Sequence, residues 1–277
     1  MPPSEWTNTP SHSHASPSTK SVKAKYYDIV AIGLQECNHK DEWVESLQNY
    51  YETIRRAMSL PKQTHEMVVL GTSTQWGITL IVFVRKGLKS RITSLCIDQV
   101  AAGGRKIVGV AVANKGAVMI SFSLNGSTSL CFVCSHFPAR AERLAKRNKT
   151  YGTIVDDLHT KPKIRKSEMD RDISSKSQTS VSIFSCDHVF WVGDFNYRVD
   201  GGRGGTPEEF NQVVSLSKHM NFQKIVKFDQ LLREIRNGRS FVGFREGTFF
   251  KECCFRQRIS HVSHERIYHT YHTREYI

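Results

Sequence analysis

Read for the spacing of apolar and polar positions, the chain resolves into short buried strands, amphipathic helices and polar turns. Tyr27-Asp-Ile-Val-Ala-Ile-Gly-Leu34 is an apolar run of strand length, and Gln35-Glu36 stand at its C-terminal end. Trp43, Leu47, Tyr50 and Ile54 recur at spacings of three and four, which predicts a helix with one buried stripe and Asp41 as its cap. Val68–Leu70 and Ile78–Val84 read as strands, with Trp76 leading into the second. Val118–Phe122 and Leu130–Ser135 predict a hairpin turned at Asn125-Gly126, with His136 ending its second strand and a helix following over 139–158. Thr206-Pro-Glu-Glu209 has the form of a capping box with proline at the first helical position, so a helix begins there. Phe228–Ile235 reads as one more, ended near Asn237-Gly238.

The segment around which the rest is organised is Val189-Phe-Trp-Val-Gly-Asp-Phe-Asn-Tyr-Arg198. Four large apolar residues suit a strand buried on both faces, and Gly193 is expected to let the backbone turn sharply. Asp194 and Asn196 then stand where a core strand meets the surface. A carboxylate and an amide so placed can hold a water, a metal-bound ligand or a phosphate oxygen, although the same residues also make ordinary turns. Glu36 and His136 are likewise the first polar groups past buried strands, and each alone is commonplace.

Composition changes this picture modestly. A chain of 277 residues with 39% hydrophobic and 23% charged residues has room for one large domain or two small ones. The formal net charge of +13 favours an anionic partner and leaves nucleic acid, an acidic membrane surface and a phosphorylated small molecule all open. Seven scattered cysteines suit a reducing compartment. Cys131 and Cys134 lie three apart in a strand, on opposite faces, which argues against a shared zinc or a redox pair. The N-terminus lacks a basic-then-apolar signal segment and no apolar run has the length of a membrane span, so a cytoplasmic protein is expected.

Several polar segments remain. Residues 1–25, rich in Ser, Thr, Pro and His, read as a disordered tail, and 159–182 as a surface insertion. Arg85, Lys86, Lys89 and Arg91 form a basic cluster expected in a solvated loop. Glycines beside Arg105, Lys106 and Lys115 allow amides and cationic heads to approach a phosphate together, without the order of a Walker loop. Arg140, Arg143, Lys146, Arg147 and Asn148 are expected to form a basic helical face near the strand ends.

Taken together, Ile32-Gly-Leu-Gln-Glu36, Asn114-Lys-Gly-Ala-Val118, Ser135-His136, Arg147-Asn148-x-x-Tyr151, Trp191-Val-Gly-Asp-Phe-Asn-Tyr-Arg198 and Gly243-Phe-x-Glu-Gly247 resemble, in order and spacing, the inositol polyphosphate 5-phosphatase catalytic domain. The resemblance runs from about residue 26 to 250 and is nearest to the branch acting on phosphatidylinositol trisphosphate. It implies an α/β fold, a four-layer sandwich of two mixed β-sheets flanked by helices. It implies magnesium-dependent removal of the 5-phosphate from phosphoinositides or soluble inositol polyphosphates by in-line attack of water. By the same resemblance Glu36 is the metal ligand, Asp194 the carboxylate that positions the water, Asn196 the amide on the phosphoryl oxygens and His136 the histidine beside the scissile phosphate. Asn114, Lys115, Arg147 and Asn148 would lie around the ring phosphates. Peripheral contact with an anionic membrane is expected, with no nucleic acid and no obligate oligomer.

The departures are also specific. The family's opening strand ends in Thr-Trp-Asn, and Trp6-Thr-Asn8 echoes it without a strand before it, so the role is not transferred to Asn8. Ala113 stands where the family usually has glycine. The family's Pro-Thr-Tyr-Lys, Trp-Cys-Asp-Arg and Ser-Asp-His segments are absent, and 251–277 reads as an atypical tail. The expectation is therefore a domain incomplete at both ends, its edges exposed and its second carboxylate and second histidine missing. Three readings stay open: a 5-phosphatase, a fragment that holds phosphoinositide without turning it over, and a nuclease of the same superfamily, against which Arg-Asn-x-x-Tyr and Asn-Lys-Gly-Ala-Val argue.

Overall fold

The computed structural model describes residues 26–37, 40–102, 105–107, 110–112, 115–160, 181–199, 206–219, 221–246 and 274–276. The elements in chain order are β1 (Ile29–Gln35), α1 (Lys40–Ala57), α2 (Lys62–His65), β2 (Met67–Gln75), β3 (Ile78–Arg85), β4 (Ile92–Ala101), β5 (Arg105–Ile107) and β6 (Val110–Val112). There follow β7 (Gly116–Leu124), β8 (Thr128–His136), α3 (Leu144–Asp157), β9 (His159–Thr160), β10 (Val181–Ser182) and β11 (His188–Asp194). The chain closes with α4 (Pro207–Lys218), α5 (Phe222–Ile225), α6 (Gln230–Arg236), β12 (Phe244–Glu246) and β13 (Arg274–Tyr276).

Two sheets carry the fold, one ordered β1-β3-β2 and the other β12-β13-β11-β8-β7-β4. Strand periodicity explains how they pack. Leu80, Val82 and Val84 of β3 meet Val118, Ile120 and Phe122 of β7 and Cys134 of β8, which makes the layer between the sheets. Ile81 and Phe83, on the opposite face of β3, pack under Trp43, Leu47 and Tyr51 of α1. Val133 and Trp191, on the outer face of the second sheet, pack under Ile154 of α3 and Leu231 of α6. The result is helix, sheet, sheet, helix, the expected four-layer sandwich. The second sheet is mixed: β8 and β11 run parallel in register from Leu130↔His188 to His136↔Asp194, and their neighbours run antiparallel. A parallel pair needs a long crossover, and α3 and the β9–β10 pair lie between β8 and β11 along the chain.

Several local expectations need correction. The buried stripe of α1 runs through Tyr51 instead of Tyr50, which is exposed, and Asp41 lies inside the first turn of a helix beginning at Lys40. An acidic group there still favours the positive helix end. Strand β11 is buried on alternate residues, Val189 and Trp191 completely and Phe190 and Val192 partly. Its inner face is only partly covered because a three-stranded sheet lies against a six-stranded one among the described residues. The basic cluster runs from the end of β3 into a short 3-10 helix, Lys86–Arg91, and three of its cations have partners: Arg85 pairs with Asp28, Lys86 with Glu66, and Arg91 donates to Asn125.

Other readings hold. Cys131 and Cys134 belong to cores on opposite faces of β8. Thr206 N–H donates to Glu209 Oε2 at 3.1 Å while Glu209 N–H donates to Thr206 Oγ1 at 3.3 Å, the reciprocal cap. Asp229 caps α6 by accepting from Leu232 N–H. Segments 1–25, 161–180 and 247–273 lie outside the described residues, and the last strand, β13, inserts between β11 and β12.

Candidate active site

The parallel pairing of β8 with β11 puts His136 directly beside Asp194 at the C-terminal ends of both strands. Such ends, opening outward from a sheet whose core is closed, are where loops can present polar groups to solvent. Gly193 is required at this level for a reason other than a turn. It remains in the strand with φ 138°, and a Cβ there would lie 2.0 Å from the Ser135 carbonyl oxygen, so only glycine lets β11 approach β8. The turn comes at Asn196, whose φ is 55°, a conformation asparagine tolerates better than most residues.

Glu36 arrives from the other sheet. Strand β1 crosses the inner face of β8 and β11, and a Cβ on Gly33 would sit 2.7 Å from Val192 Cγ2 and 2.8 Å from Cys134 Sγ. A bare backbone at this crossing lets the sheets close, and Gln35 Nε2 then donates to Cys134 Sγ at 2.9 Å. Three residues beyond Gly33, Glu36 Oε1 lies 3.7 Å from His136 Nε2, and Asp194 Oδ2 lies 3.5 Å from the same nitrogen. Lys115, just before β7, brings Nζ to 2.7 Å from His136 Nε2 and 3.2 Å from Nδ1.

Burial and charge compete in this cluster. Burial pushes the His136 pKa down against the opposing pull of Asp194, so the ring is held neutral and can accept from Lys115. Burial also lowers the pKa of Lys115, opposed by Glu36 and Asp194. The Glu36 side chain is 76% exposed, so its carboxylate faces solvent at the rim. Asp194 is held more tightly: Asn196 donates its backbone N–H to Oδ1 at 3.0 Å and its Nδ2 to Oδ2 at 3.1 Å.

Asn196 is itself fully engaged. Nδ2 also donates to the Phe137 carbonyl at 2.9 Å, and Oδ1 accepts from Arg198 Nη2 at 2.7 Å. With both amide hydrogens used, Asn196 in this state orients Asp194 and has no N–H left for a phosphoryl oxygen. Arg198 is a further member of this cluster, one to which the sequence pattern assigns no role. Its guanidinium is desolvated, which lowers its pKa, and its charge faces Asp194. The sequence signal was a cation two positions past Asn196, close enough along the chain to reach the Asn196 amide oxygen.

Of the basic helical face, Arg140, Arg143 and Lys146 are exposed as expected, whereas Arg147 and Asn148 need correction. Arg147 is completely buried, its guanidinium donating to the carbonyls of Pro138, Arg140 and Ala141 and to Gln230 Oε1, with its carbon 5.3 Å from the Tyr197 ring centroid. It cannot lie on a ring phosphate in this arrangement; it clamps the start of α3 to α6 beneath the Asp194–Tyr197 loop. Asn148 likewise spends its side chain internally, donating to Glu234 and accepting from Tyr197 Oη at 2.7 Å. Periodicity placed both on a helix face, but could not reveal that α6 covers that face. Asn114 lies outside the described residues.

Among the described residues no three His, Cys, Asp or Glu side chains converge tightly enough to enclose a metal. The donors at the rim are hard carboxylate oxygens, and the buried Cys134 thiol, which accepts from Gln35 of β1, has its pKa pushed up to about 12 by burial. That set fits an ion bound through one or two carboxylates while keeping its own waters, as magnesium does, and does not fit a closed zinc centre.

The sequence matches the endonuclease/exonuclease/phosphatase family 2 over residues 4–257, a match that begins within the Ser/Thr/Pro-rich N-terminal stretch. Rat synaptojanin-2 is 32% identical over 227 residues, covering 80% of this chain and 13% of that protein. Human phosphatidylinositol 3,4,5-trisphosphate 5-phosphatase 1 is 32% identical over 232 residues, covering 82% and 17%. The chain thus spans a small part of the relatives it matches. In fold it resembles the inositol polyphosphate 5-phosphatase domain of SPsynaptojanin, crystallised with inositol (1,4)-bisphosphate and calcium. The TM-score is 0.60 at 23% identity, over 81% of this chain and 57% of the other.

Proposed function

The chain belongs to endonuclease/exonuclease/phosphatase family 2, and from that premise we propose that it is a magnesium-dependent phosphomonoesterase removing the 5-phosphate of phosphoinositides or inositol polyphosphates. The observation that carries the reading is the meeting of Glu36, Asp194 and Lys115 around His136 at the ends of four strands from two sheets, within 2.7–3.7 Å of that one imidazole. The relatives whose names carry this activity, and the related domain crystallised with an inositol bisphosphate, support the same substrate class. Inositol (1,4)-bisphosphate is what remains when a 1,4,5-trisphosphate loses its 5-phosphate.

Roles follow from position. Glu36, exposed at the rim, would hold the magnesium ion, which when bound supplies Lewis-acid neutralisation of phosphoryl charge. Asp194, with both oxygens oriented by Asn196, positions the attacking water and takes its proton. Neutral His136 offers a ring nitrogen beside the phosphoryl group, and Lys115 supplies the fixed positive charge against which negative charge develops. Arg147 and Asn148 act one layer back, holding the Asp194–Tyr197 loop on α6. The domain at 26–250 carries this site, and the net charge of +13 suits anionic substrates at a cytoplasmic membrane surface.

The test is inorganic phosphate release from inositol 1,4,5-trisphosphate by the 277-residue chain, with magnesium and with excess chelator, beside Glu36→Ala. Release that needs both magnesium and Glu36 is the expected result. Absence of release from folded protein that still binds the substrate would replace the proposal with a non-catalytic phosphoinositide-binding domain.

A further inference from the structure

Strands β2 and β3 are joined by a turn of two residues, Trp76 and Gly77, between the closing pair Gln75↔Ile78. Both have positive φ, 51° and 77°, the geometry of a type I′ hairpin turn, for which asparagine followed by glycine is the favoured sequence. A tryptophan at the first position is strained, since a bulky side chain gains nothing locally from a left-handed backbone. Nor does it gain burial: Trp76 is 50% exposed, whereas Trp43 and Trp191 are buried. An indole that is both strained and half exposed gains little from the fold itself.

Gly77 packs against the Glu36 backbone, a Cβ there lying 3.8 Å from Glu36 Cα, so the tip of the hairpin stands beside the rim of the candidate site. The hairpin is continuous with β3, the central strand of its sheet and buried along most of its length, so the indole is carried on a rigid support. Indole is amphipathic and partitions to the headgroup level of a bilayer, and the chain's net charge of +13 complements an anionic leaflet.

We propose that Trp76 is an interfacial anchor that seats the rim of the site on an anionic lipid bilayer, and so selects membrane-borne phosphoinositide over the free headgroup. This rests on the function proposed above for the choice of substrate, but the anchoring itself can be read without catalysis. The informative variant is Trp76→Asn, because Asn-Gly suits the turn better than Trp-Gly and the hairpin keeps its geometry.

The measurement is co-sedimentation of the full chain with vesicles of phosphatidylcholine and phosphatidylserine carrying a few per cent phosphatidylinositol 3,4,5-trisphosphate. It is paired with quenching of tryptophan fluorescence by brominated phosphatidylcholine in the same vesicles. The expected result is that Trp76→Asn weakens vesicle partition about tenfold and abolishes most of the quenching, while phosphate release from soluble inositol 1,4,5-trisphosphate is unchanged. Equal partition of the two proteins, or equal quenching, would overturn the anchor and make the indole a contact for another protein, whatever the fate of the catalytic reading. Trp76-dependent vesicle binding without phosphate release from either substrate would instead keep the anchor and remove the catalysis.

Discussion

The closest approach between the two sheets, at Gly33, offers a prediction in which stability and site geometry are coupled. Gly33→Ala would place a methyl carbon 2.7 Å from Val192 Cγ2 and 2.8 Å from Cys134 Sγ, where carbon atoms ordinarily rest at about 3.5 Å or more. Overpacking of this kind costs roughly 1–3 kcal/mol, offset by about 0.4–1 kcal/mol because alanine restricts the unfolded chain. A net loss of roughly 1–2 kcal/mol lowers Tm by about 2–8 °C for a domain of this size. Removing the obstructing methyls by Val192→Ala in the same chain should recover part of the loss, giving a coupling of about 1 kcal/mol in a double-mutant cycle. Urea midpoints of the four proteins measure it. Because β1 carries Glu36, Gly33→Ala should also reduce phosphate release by about tenfold or more, as sub-ångström misplacement of a catalytic group can. An unchanged midpoint, or strictly additive single variants, would show that the sheets do not meet where described.

Three further outcomes follow from the same contacts. Arg147→Ala should destabilise the protein by about 3–5 kcal/mol, because Gln230 and three carbonyls lose their donor in a buried setting, and urea unfolding measures this; unaltered stability with a raised KM would restore the surface role read from the sequence. Glu234, buried and held by Arg239 at 2.7 Å and by Asn148, has its pKa lowered below the ordinary 4.5. Its contribution is complete above the unfolded value and is lost as pH falls through the folded one, so Glu234→Gln should flatten the acid limb of stability below about pH 4.5, as followed by circular dichroism. Cys134, its thiol pushed up to about 12, should resist iodoacetamide at pH 8 in the native state and react once urea unfolds the chain, as mass spectrometry would show.

The layers of the fold were legible because β3 is apolar on both faces and α1 keeps a helical stripe, patterns that local spacing reveals. The missed strand β4 is an edge strand with a register shift between Thr93 and Cys96, which breaks the alternation that would have marked it. Glu36, His136 and Asp194 were identified as polar groups past buried strands and Lys115 as a cation beside glycines, and the structure brings the four together. Arg147 and Asn148 were misplaced for a physical reason: a helix face rich in cations reads as solvated until a second helix is laid against it, and nothing local in 144–157 announces α6. Gly193 was assigned a turn, whereas its lack of a side chain serves the spacing between β8 and β11, a relation between residues 58 positions apart. Trp76 carried no periodic signal at all, and only the backbone conformation at the hairpin tip sets it apart.

The most direct test of the central claim is to follow inositol 1,4,5-trisphosphate by phosphorus NMR in the presence of this chain and magnesium, with Asp194→Asn alongside. The account predicts loss of the 5-phosphate resonance alone and growth of inorganic phosphate, stopped by chelator and slowed by a hundredfold or more in Asp194→Asn. Loss of a different phosphate, or turnover that survives Asp194→Asn, would contradict it.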